Sequence, residues 1–235
     1  MRPGKIYLIP SPISKSDFNQ ILPYNTKSII SNLDVFFVEN IRTTRRFFSK
    51  IGIKNIEELH FEVLDKNTSI VDISRMIQMV KNGKHAGIFS EAGCPGIADP
   101  GSTIINYAHQ SEINIIPLSG PSSIFLALMA SGFNGQYFVF HGYLPIEKIA
   151  RRQKIRDMEH QSKNNNQTQI FMETPYRNMQ LVQVLLEYLS GSTQLCIASD
   201  ITGENEFIRT KSVDIWKKKI PDIHKKPTIF LISYV

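Results

Sequence analysis

The sequence predicts a two-domain α/β protein, with an N-terminal parallel sheet and flanking helices followed by a C-terminal mixed sheet with helices. Three observations carry this. Short apolar runs alternate with helical repeats over residues 1–133, the pattern of parallel strands joined by crossover helices. Beyond Gly132 to Gly135 the apolar runs crowd together, which implies antiparallel members. Residues 90–101, Ser-Glu-Ala-Gly-Cys-Pro-Gly-Ile-Ala-Asp-Pro-Gly, put three glycines and two prolines between a strand pattern and a helical one. Glycine lets backbone approach a ligand, proline holds the loop rigid, and such loops after parallel strands are where α/β proteins bind ligands. The plainer reading of this stretch is a strand-to-helix turn with Asp99 as a cap.

The elements follow in order. Ile6 to Ile9 is a strand ended by Pro10, Val35 to Val38 a second strand, and Thr43 to Ile51 a helix. Leu59, Phe61 and Val63 alternate as a strand does, and Ile70, Ile73, Ile77 and Val80 recur at helical spacing behind a Thr68 or Ser69 cap. Ala86 to Phe89 is a strand, Thr103 to His109 a helix, Asn114 to Pro117 a strand, and Ile124 to Ala130 an apolar helix. In the second half, strands are expected at Tyr137–Phe140, Gln169–Met172, Leu195–Ser199, Glu206–Arg209 and Thr228–Ser233. Helices are expected at Glu147–His160, Tyr176–Leu189 and Val213–Lys219, with Lys163 to Gln167 as a polar loop. The domains are therefore placed at 1–133 and 134–235.

Composition narrows the function classes. Hydrophobic residues make up 42% and charged residues 20% of the chain, ordinary values for a globular protein. No apolar run approaches the ~18 residues of a membrane span. Met1 to Lys5 lead directly into a strand pattern, so no signal peptide is expected. The two cysteines, Cys94 and Cys196, suggest no disulfide framework, and a reducing cytoplasm is the simplest location. The six histidines, His60, His85, His109, His141, His160 and His224, form no ligand pattern, so no metal is expected. Phosphate-loop, Gly-x-Gly-x-x-Gly and nucleophile-elbow motifs are absent. The net charge of +6 is uneven: Lys148, Arg151, Arg152, Lys154 and Arg156 face no anion in their stretch, and Lys217, Lys218, Lys219, Lys225 and Lys226 form a second group. Both suit a polyanion such as RNA, or are solvated helix faces.

What remains are strand-end loops of small residues: Pro10-Ser11-Pro12, Ser90 to Pro100, Ser119 to Ser123, and Met172-Glu173-Thr174-Pro175. If the strands share a direction, several of these loops meet at one sheet edge, where amides and hydroxyls would hold a nucleoside-like cofactor. These same loops resemble a known family, the tetrapyrrole-methylase superfamily, and most closely its branch of small-subunit rRNA cytidine 2′-O-ribose methyltransferases. Ile6 to Ile13 resembles that family's opening strand and loop, and Glu39-Asn40-Ile41-Arg42-Thr43-Thr44 its Glu-Asp-Thr-Arg segment. Ser90 to Gly101 resembles Ser-Asp-Ala-Gly-Thr-Pro…Asp-Pro-Gly, and Pro117 to Ser123 resembles Pro-Leu-Pro-Gly-Pro-Ser-Ala. Gly142 to Pro145 is similar to Gly-Phe-Leu-Pro, and Glu173 to Arg177 to Glu-Ser-x-His-Arg. The six segments keep the family's order and spacing over nearly the whole chain.

The resemblance implies a tetrapyrrole-methylase-like fold, S-adenosyl-L-methionine bound in a cleft between the two domains, a homodimer, and rRNA or the small ribosomal subunit as partner. By position it implies a cofactor site lined by Pro10, Ser11, Glu91, Ala92, Gly93, Pro95, Ile97, Ser122, Ser123, Met172 and Thr228. A ribose hydroxyl is a poor nucleophile, so a base that takes its proton is sought. Glu39, at a strand end beside Arg42, Arg45 and Arg46, is the first candidate and Glu173 the second. Glu39 otherwise reads as a helix-starting acid and Glu173 as a loop-orienting one. Arg42, Arg45, Arg151, Arg152 and Arg177 are the candidate RNA contacts, with Arg177 alternatively paired to Glu173. Phe36, Phe37, Phe47 and Phe48 fit the core better than a base-stacking platform.

The chain departs from the family pattern at Glu91, Cys94, Ser119 and Ala198-Ser199-Asp200 and in a longer stretch from Ile13 to Asn25, and the helical extension common in this branch is expected to be absent. Two other functions are therefore kept open: methylation of a tetrapyrrole or other small substrate, and a non-catalytic RNA-binding or ribosome-assembly role.

Overall fold

The computed structural model describes residues 2–14 and 22–234. Its strands form two five-stranded sheets. The first contains β1 (Lys5–Ile9), β2 (Val35–Val38), β3 (His60–Val63), β4 (Ala86–Phe89) and β5 (Asn114–Pro117) in the order β3-β2-β4-β1-β5. All four pairings are parallel, with Ile6 beside both Ala86 and Ile115. The helices are α1 (Thr26–Ile30), α2 (Ile41–Lys50), α3 (Ile70–Lys81) and α4 (Gly101–Gln110).

A parallel sheet needs cover on both faces, and side chains alternate between them. Phe36 and Phe37 are accordingly both fully buried, on opposite sides. Phe37 packs with Ile73, Ile77 and Ile104 of α3 and α4. Phe36 packs with Ile30 and Phe48 of α1 and α2. Helix α3 buries Ile73, Met76, Ile77 and Val80, and Ser69 caps it by accepting the Asp72 N–H at 3.1 Å.

The connections reverse direction within this sheet. The chain leaves β1 past β4 to reach β2, and leaves β4 past β1 to reach β5. Adjacent strands whose connections run in opposite directions make a topological switch point, which opens a crevice outside their carboxyl ends. Here those carboxyl ends run into Pro10–Ser11 and Ser90–Gly93.

The second unit begins with α5 (Ser123–Ser131) and continues with β6 (Phe138–Tyr143), α6 (Lys148–Asn165), β7 (Thr168–Met172), α7 (Asn178–Tyr188), β8 (Gln194–Ser199), β9 (Phe207–Ser212), α8 (Val213–Lys218) and β10 (Thr228–Ser233). The sheet order is β6-β7-β10-β8-β9, with β6 parallel to β7 and the other pairs antiparallel. This is the mixed sheet that the strand spacing predicts. Phe171 stacks on Phe230 at 5.8 Å in its core, and Trp216 donates its indole N–H to the Leu195 carbonyl at 2.8 Å.

Two expectations differ from the structure. Contacts divide the chain into 1–122 and 123–235, so α5 belongs with the second sheet, against which it packs, whereas the sequence reading placed the boundary after it. Lys163 to Asn165 continue α6 rather than form a loop, and Asn166 ends the helix at φ 49°. Helix α1 has no expectation behind it. Of the long stretch from Ile13 to Asn25, residues 15–21 lie outside the described part.

Candidate active site

Three strand-end loops of the first unit are tied to one another. Ser11 and Gly93 exchange two backbone hydrogen bonds, of 2.9 and 3.1 Å, joining the loop after β1 to the loop after β4. The Ser90 hydroxyl reinforces this by donating to the Gly93 carbonyl at 3.1 Å and lying 3.4 Å from the Ser11 hydroxyl. Gly93 stands at φ +74°, a conformation that side chains disfavour. The loop after β5 closes on both. The Cys94 thiol donates to the Pro121 carbonyl at 3.4 Å, and a Cβ on Gly120 would lie 2.2 Å from the Pro10 ring. Asp99 locks the far end of the β4–α4 loop by accepting from Gly96 N–H at 2.7 Å and Gly101 N–H at 2.8 Å. Pro10, Ser11, Gly93 and Pro95 are buried in this assembly, Ser122 is half-buried, and Glu91, Ala92 and Ile97 face solvent.

Glu39 follows β2 at the same edge. It is half-buried and accepts the Glu91 N–H at 3.2 Å. Burial raises its pKa from the ordinary carboxylate value, and the nearby acids Asp99, Glu91 and Asp65 push the same way against the lowering effect of that N–H. Asp99 is likewise raised by burial, against its two N–H donors. Asn40 caps α2 by accepting from Arg42 and Thr43 N–H, and the Thr43 hydroxyl donates to the Glu91 carboxylate. Arg42 is exposed beside this group. Arg45 is partly committed, with its guanidinium 5.2 Å from the Phe61 ring centre and 3.5 Å from Glu57.

In the second unit, Met172, Glu173 and Thr228 meet where β7 ends and β10 begins. Glu173 is buried and takes Arg177 through both Nε, at 3.0 Å, and Nη2, at 2.6 Å. The alternative reading of Arg177 as the partner of Glu173 is the one the structure supports. All of these bonds, and one from the Thr174 N–H, fall on the same Glu173 oxygen, Oε1, so this side chain orients the turn. The buried Thr228 hydroxyl lies 3.0 Å from the Ser199 hydroxyl and 3.2 Å from the Asn178 amide nitrogen. Ser123 opens α5 in this unit.

Arg151 requires a correction. It is not an exposed RNA contact: only 7% of it is accessible, on the same stripe of α6 as Ile155, Met158 and Ser162. Its Nε has no partner among the described residues. Arg152 is exposed, with its guanidinium over Tyr188 at 5.0 Å. Sequence reasoning also missed Ser90, Thr43 and Asn178. Asn178 carries a readable signal, a polar residue on the otherwise apolar stripe of α7.

A cavity of about 510 Å³ also borders the β4–α4 loop, lined by Gly96, Ala98, Asp99 and residues of the β3–α3 connection including Asp65, Lys66 and Thr68. It contains none of the residues that the resemblance assigns to the cofactor. Among the described residues no group of three or more His, Cys, Asp or Glu is placed to hold a metal ion.

Two sheets of these orders match the fold of solved tetrapyrrole methylases. The crystal structure of the methyltransferase CobJ superposes with a TM-score of 0.66 at 12% identity, covering 99% of this chain and 95% of that one. Uroporphyrin-III-C-methyltransferase from Thermus thermophilus gives 0.56 at 14% identity, covering 98% and 94%. No family model matches the chain. The protein of Buchnera aphidicola subsp. Schizaphis graminum named ribosomal RNA small subunit methyltransferase I is 30% identical over 233 residues, 97% of this chain and 78% of its own length. The protein of the same name from Thermotoga maritima is 29% identical over 222 residues, 93% and 94% of the two chains. The chain belongs to the ribosomal RNA small subunit methyltransferase I family.

Proposed function

We propose that the chain transfers a methyl group from S-adenosyl-L-methionine to small-subunit rRNA, with a cytidine 2′-hydroxyl as acceptor. The observation that carries this reading is the mutual locking of the loops after β1, β4 and β5, in a chain related over nearly its whole length to rRNA methyltransferases. The cofactor supplies an electrophilic methyl group on a cationic sulfonium. The residues present fit such a group: Glu39, Glu91 and Asp99 give this edge a negative field that suits a cationic sulfonium. Ser11, Ala92, Gly93 and Ser122 are the residues we assign to the adenosyl moiety.

We assign Glu39 the acceptance of the hydroxyl proton. Its raised pKa makes it a stronger base than an ordinary carboxylate. Glu173 holds Arg177 and the turn that carries it. Arg42 and Arg152 are exposed cations suited to phosphates. A homodimer fits the exposed apolar pair Phe125 and Met129, one turn apart on α5 and 50% and 78% accessible. No described helix is long and apolar enough to cross a membrane. The test is transfer of labelled methyl to purified 30S subunits, followed by alkaline hydrolysis of the RNA. A 2′-O-methylated nucleotide leaves an alkali-resistant labelled dinucleotide. Label that goes only to a small molecule contradicts the proposal.

A further inference from the structure

The turn after β7 carries a feature that the assigned roles do not use. Tyr176 is 72% accessible, yet its backbone is held firmly. Pro175 opens a single 3-10 turn over Pro175–Arg177, and Arg177 N–H closes it on the Thr174 carbonyl at 2.9 Å. Lys225 N–H then donates to the Pro175 carbonyl at 3.1 Å, tying this turn to the segment before β10. Lys225 takes the left-handed conformation, at φ 59°, to make that bond. The Arg177 side chain anchors the turn from below through buried Glu173.

The surroundings of the ring are cationic. The Lys225 ammonium lies 5.7 Å from the Tyr176 ring centre, and the exposed His224 ring meets it edge-on at 6.4 Å and 82°. Lys226 follows in sequence, and Asn178 donates to its carbonyl at 2.6 Å. A large aromatic ring presented to solvent on a rigid turn, with cations beside it, has the chemistry of a nucleobase platform. The ring offers a π face to a splayed base, and the ammonium neutralises the adjoining phosphate. Rigidity matters because the ring is already ordered before the base arrives.

We propose that Tyr176 stacks against an unpaired base of the RNA substrate next to the target nucleotide, with Lys225 contacting its phosphate. This rests on the RNA-methylation reading and adds a binding residue to it. Position favours RNA over a protein surface: Tyr176 lies three residues after Glu173 and four after Met172, on the loop that the resemblance assigns to the cofactor.

Steady-state methylation of 30S subunits by wild type, Tyr176→Ala, Tyr176→Phe and Lys225→Ala tests the proposal, with calorimetric cofactor binding and sedimentation measured alongside. Tyr176→Ala is expected to raise KM for the subunit about 5- to 100-fold, the effect of losing one base–aromatic stack. Tyr176→Phe is expected to recover most of that loss, because stacking does not need the hydroxyl. Lys225→Ala is expected to reduce the slope of log affinity against log salt by about 1. Tyr176→Trp adds a direct readout, since the only natural tryptophan, Trp216, is 1% accessible. Its emission should be quenched by a single-stranded RNA oligonucleotide. Unchanged KM in Tyr176→Ala beside an active wild type overturns the inference, as does a change in sedimentation without a change in KM, which would place the ring in a protein interface. A wild type that fails to methylate 30S subunits overturns the underlying reading instead.

Discussion

Glu39 sits at a strand end whose burial opposes its charge, and this links stability to chemistry at one residue. Because the folded state raises its pKa, folding favours the protonated form. Its contribution to stability is therefore present at acid pH and lost as pH rises through the raised value. Glu39→Gln keeps an acceptor for the Glu91 N–H and removes the buried charge. We expect this variant to melt higher than wild type at pH 7, with the gain vanishing below the ordinary carboxylate range, as followed by thermal denaturation. Activity should move the other way. If Glu39 is the base, kcat falls by about 100-fold or more in Glu39→Gln, and the acid limb of the wild-type pH–rate profile disappears. Arg151 makes the opposite case, a cation with little solvent and an unpartnered Nε. Replacing a buried ion by an apolar side chain of similar size is often neutral or stabilising. Arg151→Met should leave the denaturation midpoint equal or higher and leave the salt dependence of RNA binding unchanged. A lowered salt slope would return Arg151 to the RNA interface.

Among the elements, the loops after β1, β4 and β5 depend on small residues at fixed places. Gly120→Ala puts a Cβ into the Pro10 ring. We expect it to cost about 1–3 kcal/mol in chemical denaturation and to weaken cofactor binding by displacing Pro10. The strands and helices were largely legible, because β-type apolar runs and 3–4 spacings decide them locally. Helix α1 was not, since its five residues carry neither a side-chain cap nor a long periodic stripe. The end of α6 was misread because Lys163, Asn164 and Asn165 have loop-like composition but stay helical until Asn166 turns left-handed. Arg151 was misread although a signal existed: with Ile155, Met158 and Ser162 it completes a buried helical stripe. Five cations in nine residues hid that spacing.

At the scale of the whole molecule, each unit has its own core, one built on Phe37 and Ile88 and the other on Phe171 and Phe230. Small-residue composition marked the strand-end loops in the sequence, but the bonds that join them were not legible. The Ser11–Gly93 bridge, the Thr43–Glu91 bond and the Glu39–Glu91 bond each join residues far apart in the chain, and no local pattern announces them. A net charge of +6 predicts RNA affinity that falls steeply with salt, linearly in log–log form, while cofactor affinity changes little. Binding of S-adenosyl-L-methionine by calorimetry tests the central claim most directly. We predict a single saturable site per chain in wild type, abolished in Gly93→Val, where a β-branched residue is forced to φ +74°. Absence of heat in wild type up to millimolar cofactor, or full binding retained in Gly93→Val, would contradict it.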